Sequence, residues 1–111
     1  MRYICLVYMD EKDLDAVPDS ECLAYGDSLR KSGCYVAADA LQRVDTATTV
    51  RVRNGRISMT DGPFAETKEQ LAGFYLIDAK SLDEAIQLAA KIPPARVGSI
   101  EVRPVRTLSA N

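Results

Sequence analysis

Four charged side chains, Asp61, Glu66, Lys68 and Glu69, crowd into the stretch SMTDGPFAETKEQLAGFY, residues 58–75, around Phe64. Carboxylates and an amine spaced this closely can act as general acid and base, or as the polar anchors of a small apolar pocket. The first three residues of the motif read as a bend: Gly62 tolerates positive φ, Pro63 fixes its own φ, and Asp61 can accept backbone N–H bonds in the turn. A turn needs no more than that, and the next strand begins near Leu71, so Phe64 to Gln70 carry more chemistry than a connector requires. Leaving Phe64 in water forgoes about 1.5–3 kcal/mol of burial, so its ring is expected on the core, on a partner chain or on a ligand. Two readings stay open. In one, Phe64 is an apolar wall and Asp61, Glu66 or Lys68 contacts a ligand. In the other, Phe64 packs across a dimer seam while Glu66, Lys68 and Glu69 are solvated or paired. Tyr25 and Asp39 could face the same cleft, and Arg51, Arg53 and Arg103 could hold an anionic ligand.

Composition narrows the chemistry further. The 111 residues contain no histidine, so a general base must be a carboxylate, Lys, Tyr or Cys. Zinc, haem and non-haem iron sites lose their commonest ligand, and Cys5, Cys22 and Cys34 show no C-x-x-C spacing; no metal or other cofactor is expected. Three cysteines without that spacing fit reduced, core-filling thiols better than a disulfide framework. Fourteen basic residues against sixteen acidic ones give no field that would gather nucleic acid or an anionic membrane. Apolar runs such as YICLVYM, residues 3–9, fall far short of the roughly 20 residues that span a bilayer, and the leading MR is too short for the charged region of a signal peptide. A cytoplasmic location is expected.

The elements that must position these groups follow from periodicity. RYICLVYM, residues 2–9, and LAGFYLIDA, residues 71–79, are apolar on both faces and read as buried strands. A helix over residues 20–32, capped by Asp19 or Ser20 and ended at Gly33, places Cys22, Leu23, Gly26 and Leu29 at helical spacing. CYVAADALQRV carries a weaker strand signal. Thr48–Arg53 and Arg56–Thr60 flank Asn54-Gly55, the pair that best supports a two-residue hairpin turn, with Val50 and Val52 on one face of the first arm and Arg51 and Arg53 on the other. SLDEAIQLAAKI is a helix with the Ser81…Glu84 spacing of a capping box, stopped by Pro93-Pro94, and GSIEVRPV alternates as a last strand.

The order is βαββαβ with a hairpin inserted, a ferredoxin-like α+β arrangement in a single domain over residues 1–111. Two helices cover one face of such a sheet, so strands apolar on both faces need a second cover, most simply another copy of the chain.

The unbroken block DGPFAETKE at residues 61–69, followed by GFYLID, LDEA and EVRPV in order, resembles the DGPF family of YCII-related proteins. The resemblance spans essentially the whole chain. It implies a dimeric α+β barrel in which two ferredoxin-like sheets pack face to face. It does not transfer a reaction, because barrels of this architecture host monooxygenases, isomerases, dehalogenase-like enzymes and members without known activity. The His-Asp pair of YCII-like relatives has no counterpart in a chain without histidine. What it implies is a homodimeric barrel that binds a small carboxylate or aromatic molecule, or works on one by carboxylate acid/base chemistry without a cofactor, with Asp61, Gly62, Pro63 and Phe64 at the site. The other class it allows is a non-catalytic regulatory or interaction protein, since genes of this family often neighbour extracytoplasmic-function sigma factors.

Overall fold

The computed structural model describes residues 1–110. In chain order the elements are β1 (Arg2–Met9), α1 (Asp19–Lys31), β2 (Tyr35–Ala40), β3 (Thr48–Arg53), β4 (Arg56–Asp61), β5 (Gln70–Asp78), α2 (Leu82–Ala90) and β6 (Ser99–Pro104). Short 3-10 turns occupy Glu11–Ala16, Val44–Thr46 and Pro93–Arg96. Strands β2, β5, β1 and β6 form one antiparallel sheet in that order, and β3 with β4 forms a separate ribbon. Each of the units β1-α1-β2 and β5-α2-β6 is split by one intervening strand, which is the ferredoxin-like topology expected above.

Strand β1 is the axis of the sheet. It pairs with β5 along its whole length and with β6 from Tyr3 to Tyr8. Its alternate residues Tyr3, Cys5, Val7 and Met9 are buried under the helices, where they meet Tyr75 and Ile77 of β5, Leu29 of α1, and Ala85 and Ala89 of α2. The other phase of β1 presents Ile4, Leu6 and Tyr8, registered against Leu76, Phe74 and Leu71 of β5 on the face that no helix covers. The molecule is only 19 Å thick along its shortest axis, the depth of one sheet and one helix layer. Both strands are thus two-sided, as their apolar runs require.

Several local expectations need correction. The α1 N-cap is Pro18, with no side-chain cap bond, rather than Asp19 or Ser20; the helix starts one residue early because Pro18 pre-sets an extended entry. The capping box at α2 is half formed: the Ser81 hydroxyl accepts from Glu84 N, but the Glu84 carboxylate accepts from Lys80 N, one residue before the cap. The hairpin has the expected turn, with Asn54 at φ 52° and Gly55 at φ 73°, and its second arm extends through Asp61. Tyr25 does not face a cleft. It lies half-buried between the helices, its hydroxyl donating to Leu88 O at 2.6 Å and its ring edge-on to Tyr75 at 5.9 Å.

The three cysteines are free thiols, with Cys5 buried in the core. Burial pushes Cys5 from 9.0 up to about 11 and Tyr25 from 10.0 up to about 12; burial also raises Tyr75, which donates to Cys22 O at 3.1 Å. All three protons leave the unfolded chain at lower pH than the folded one, so the stability they contribute is complete below pH 9 and is lost as pH climbs through 9 to 12. Melting temperature should therefore fall by several degrees between pH 8.5 and pH 11, and Cys5→Val should flatten the first part of that fall. A second expectation concerns the turn: Gly55→Val should cost about 1 kcal/mol or more, because a β-branched residue is strained at positive φ, and hydrogen exchange should show it as faster exchange in both hairpin arms.

Candidate functional site

The motif loop, residues 62–69, connects β4 to β5 and is shaped by backbone more than by its charges. Gly62 sits at φ 113°, donates from its N–H to Ala47 O at 2.8 Å, and accepts at its carbonyl from the Thr49 hydroxyl at 3.0 Å. Asp61 is paired with Thr48 as the last residue of β4, and its carboxylate has no hydrogen-bond partner among the described residues, so the Asx turn expected there does not form. Further along, the Thr67 hydroxyl donates to Glu69 O at 2.6 Å, Gln70 Nε2 donates to Thr67 O at 2.8 Å, and Ser99 Oγ donates to Glu69 Oε1 at 2.7 Å. Those bonds tie the end of the loop to the start of β5 and to β6. They commit Glu69 to structure.

Phe64 remains 81% exposed, so it packs on no core among the described residues. Its nearest charge is Arg51 on β3, with the guanidinium carbon 5.7 Å from the ring centroid, an exposed cation–π contact worth about 0.5–1 kcal/mol. Glu66 and Lys68 point into solvent beside it, and neither lines a cavity.

Two clefts of about 550 Å³ each flank the chain between β2 and β3. One lies at the β2 edge, between α1 and the sheet, under the Glu11–Ala16 turn; Met9, Cys22, Tyr35 and Tyr75 make its floor and walls. Arg30 and Arg43 supply its polar groups, together with Asp15 and Asp19, while Asp39 borders it from β2 but, registered against Phe74, turns its carboxylate to the uncovered face. Arg30 is already engaged, bonding Asp27 at 2.7 Å and lying 4.1 Å over the Tyr35 ring. Arg43 has no side-chain partner among the described residues, which leaves one guanidinium available at the mouth of an apolar cavity.

The other cleft lies between the motif loop and residues 41–47, on the uncovered side of the sheet. Pro63 and Phe64 line it, as do Tyr8, Leu71, Thr67 and Gln70. Arg43 lines both clefts and stands on the segment between them, which Glu11 anchors by accepting from Val44 N at 2.9 Å. Of the residues expected at a site, Asp39, Pro63 and Phe64 border cavities. Asp61, Gly62, Glu66 and Lys68 border neither, Arg53 caps its own strand by donating to Val52 O, and Arg103 lies at the β6 edge opposite Ile4. Arg43 and Tyr8 escaped the sequence reading. Tyr8 was in phase with Ile4 and Leu6 and so could have been placed on the open face; Arg43, in an irregular segment, left no periodic signal.

Tyr8 donates to Glu101 Oε1 at 3.1 Å across β1 and β6. Burial, reinforced by that bond and by the Glu101 charge, raises its phenol above 10.0. At neutral pH Tyr8 is therefore a hydrogen-bond donor and no base. Glu101→Gln should bring the Tyr8 phenol back toward 10 without reaching it, because burial is the larger cause; an ultraviolet titration of tyrosinate absorbance against the parent protein checks this.

Comparison with known proteins bears on the family and the fold. A family model described as YCII-related domain matches residues 1–109. An uncharacterized protein of Rhizobium meliloti is 56% identical over 61 residues, 53% of this chain and 49% of that protein, so the chain spans about half the length of the curated relative it matches. Among solved structures, 5-chloro-2-hydroxyhydroquinone dehydrochlorinase from Burkholderia phenoliruptrix AC1100, in complex with 2,5-dihydroxybenzoquinone, superposes with a TM-score of 0.55 at 14% identity, covering 96% of this chain and 94% of that one.

Proposed function

The chain belongs to the YCII-related domain family, and from that premise we propose that it is a homodimeric α+β barrel that binds a small aromatic or carboxylate-bearing molecule in the cleft at the β2 edge. The observation that supports this most is the pairing of an apolar cavity of about 550 Å³ with an uncommitted guanidinium, Arg43, at its mouth. Ligand sites are concave and mostly apolar with few polar groups, and a guanidinium without a protein partner is suited to a carboxylate. Tyr75 and Tyr35 offer ring surface to a planar ligand. The neighbouring fold in complex with a quinone is a precedent for a planar ring on this architecture.

Asp61, Glu66 and Lys68 reach neither cleft within one protomer, so we assign them no catalytic role. The open cavities favour ligand binding over a purely interacting, regulatory protein, which would have no use for unfilled space beside its core.

Thermal-shift screening followed by titration calorimetry, with benzoate, hydroxybenzoates and 2,5-dihydroxybenzoquinone as probes, tests the proposal. An anionic aromatic should raise the melting temperature, and Arg43→Gln should weaken its binding at least tenfold, since hydrogen bonds to charged groups are worth about 1.5–3 kcal/mol. Binding that is indifferent to Arg43→Gln, or no binding by any probe, would remove the site from consideration.

A further inference from the structure

The β3–β4 ribbon is amphipathic, and its apolar side stands largely exposed among the described residues. Cross-strand register places Val50 opposite Met59 and Val52 opposite Ile57, so all four share one face. They are 59%, 72%, 57% and 71% exposed, respectively. The opposite face carries Arg51, Arg53, Arg56 and Ser58. A two-stranded hairpin is marginal in water by itself, yet this one has a complete ladder of six registered pairs and a turn of favoured type. An element so regular, with four large apolar side chains in solvent, is shaped for a surface it does not meet in its own protomer.

The surface area says what kind of partner fits. A compact monomer of 12.2 kDa exposes about 6,100 Å². This chain exposes 7914 Å², about 1,800 Å² more. Its radius of gyration, 15.8 Å, likewise exceeds the roughly 13 Å of a compact chain of this length. If each of two copies lost that excess, the contact would total about 3,600 Å², inside the range of obligate homodimers and far above that of a transient partner. The same chain also leaves Ile4, Leu6, Phe74 and Leu76 uncovered on its sheet. Two apolar surfaces in one chain, both in need of cover, are what a two-fold assembly satisfies at once, because whatever one copy gives it also receives.

We propose that the β3–β4 ribbon is a dimerisation arm, laying the Val50, Val52, Ile57 and Met59 face onto the body of a second copy while Arg51, Arg53 and Arg56 stay toward solvent. This rests on the homodimer proposed above and goes beyond it by assigning the inserted hairpin as the clasp. The arm leads directly into the motif loop, so clasping would also fix Phe64 and the cleft it lines. The hairpin is then a part of assembly whose position bears on the binding surface.

Sedimentation velocity over a range of concentrations, on the intact chain and on Ile57→Asp/Met59→Lys, tests this. The parent should sediment as a dimer, and the double variant should raise the dimer dissociation constant at least 100-fold while its far-ultraviolet circular dichroism stays unchanged. A photo-crosslinking residue at position 57, in a mixture of isotopically light and heavy chains, should give crosslinks that join light to heavy protein. A parent dimer with an unaltered dissociation constant in the double variant, or crosslinks only within one chain, would overturn the arm while leaving the dimer in place. A parent that is monomeric throughout would overturn both. Should the double variant lose its circular dichroism, the milder Met59→Ser and the crosslink pattern decide.

Discussion

A sheet with helices on one side only, built around a central strand that is apolar on both, is the constraint from which the rest follows. β1 is held between β5 and β6, so neither its backbone nor its side chains can retreat from either face. On the helix side, Tyr3, Cys5, Val7 and Met9 are buried to within a few per cent, and this layer is complete within one chain. On the other side Ile4 and Leu6 are matched with Leu76 and Phe74 in a ladder that cannot be shifted, since a one-residue slip would send Cys5 and Val7 outward. The uncovered face is thus the unavoidable reverse of a well-formed core.

The insertion between β2 and β5 sits at the margin of this layer, and it carries nearly everything that is not scaffold. β2 is an edge strand that ends at Ala40; from there the chain leaves the sheet, turns at Val44–Thr46, runs out and back along the ribbon, and re-enters at Gln70. Both clefts lie along this excursion because irregular backbone leaving a sheet edge cannot pack as closely as the strands do. Arg43 lies where the two clefts adjoin. The anchoring bond from Val44 N to Glu11 ties the excursion to the turn above α1, so the segment bearing Arg43 is held at two ends without its guanidinium being used.

Charge in the motif divides by burial. Glu69, half-buried, is committed to Ser99, whereas Asp61, Glu66 and Lys68 are exposed and face solvent. Phe64 is the exception, an aromatic ring with only a guanidinium beside it. A loop in which the backbone bonds are satisfied by Thr49, Thr67 and Gln70, but the ring is not covered, is ordered before its apolar residue has found a partner.

The sequence by itself determined what depends on neighbours along the chain. Runs of β-branched, aromatic and aliphatic residues put β1 and β5 in place with both faces apolar, helical spacing located α1 and α2, and Asn54-Gly55 specified the hairpin turn through the positive φ that both residues tolerate. The resemblance in DGPFAETKE and the strands after it pointed to the family, and the absence of histidine excluded its best-known acid/base couple. What only the tertiary structure decided depends on distance across the fold. Tyr25 went to Leu88, sixty-three residues away, instead of to a cleft, because α2 offers a backbone carbonyl where α1 brings the phenol. Arg43 came to border two cavities from a segment without periodicity. Asp61, Glu66 and Lys68, adjacent in sequence, did not converge, because a strand end and an exposed loop aim neighbouring side chains apart. Spacing along a chain fixes which groups share a local face; which groups share a cavity is set by where the strand ends leave the sheet.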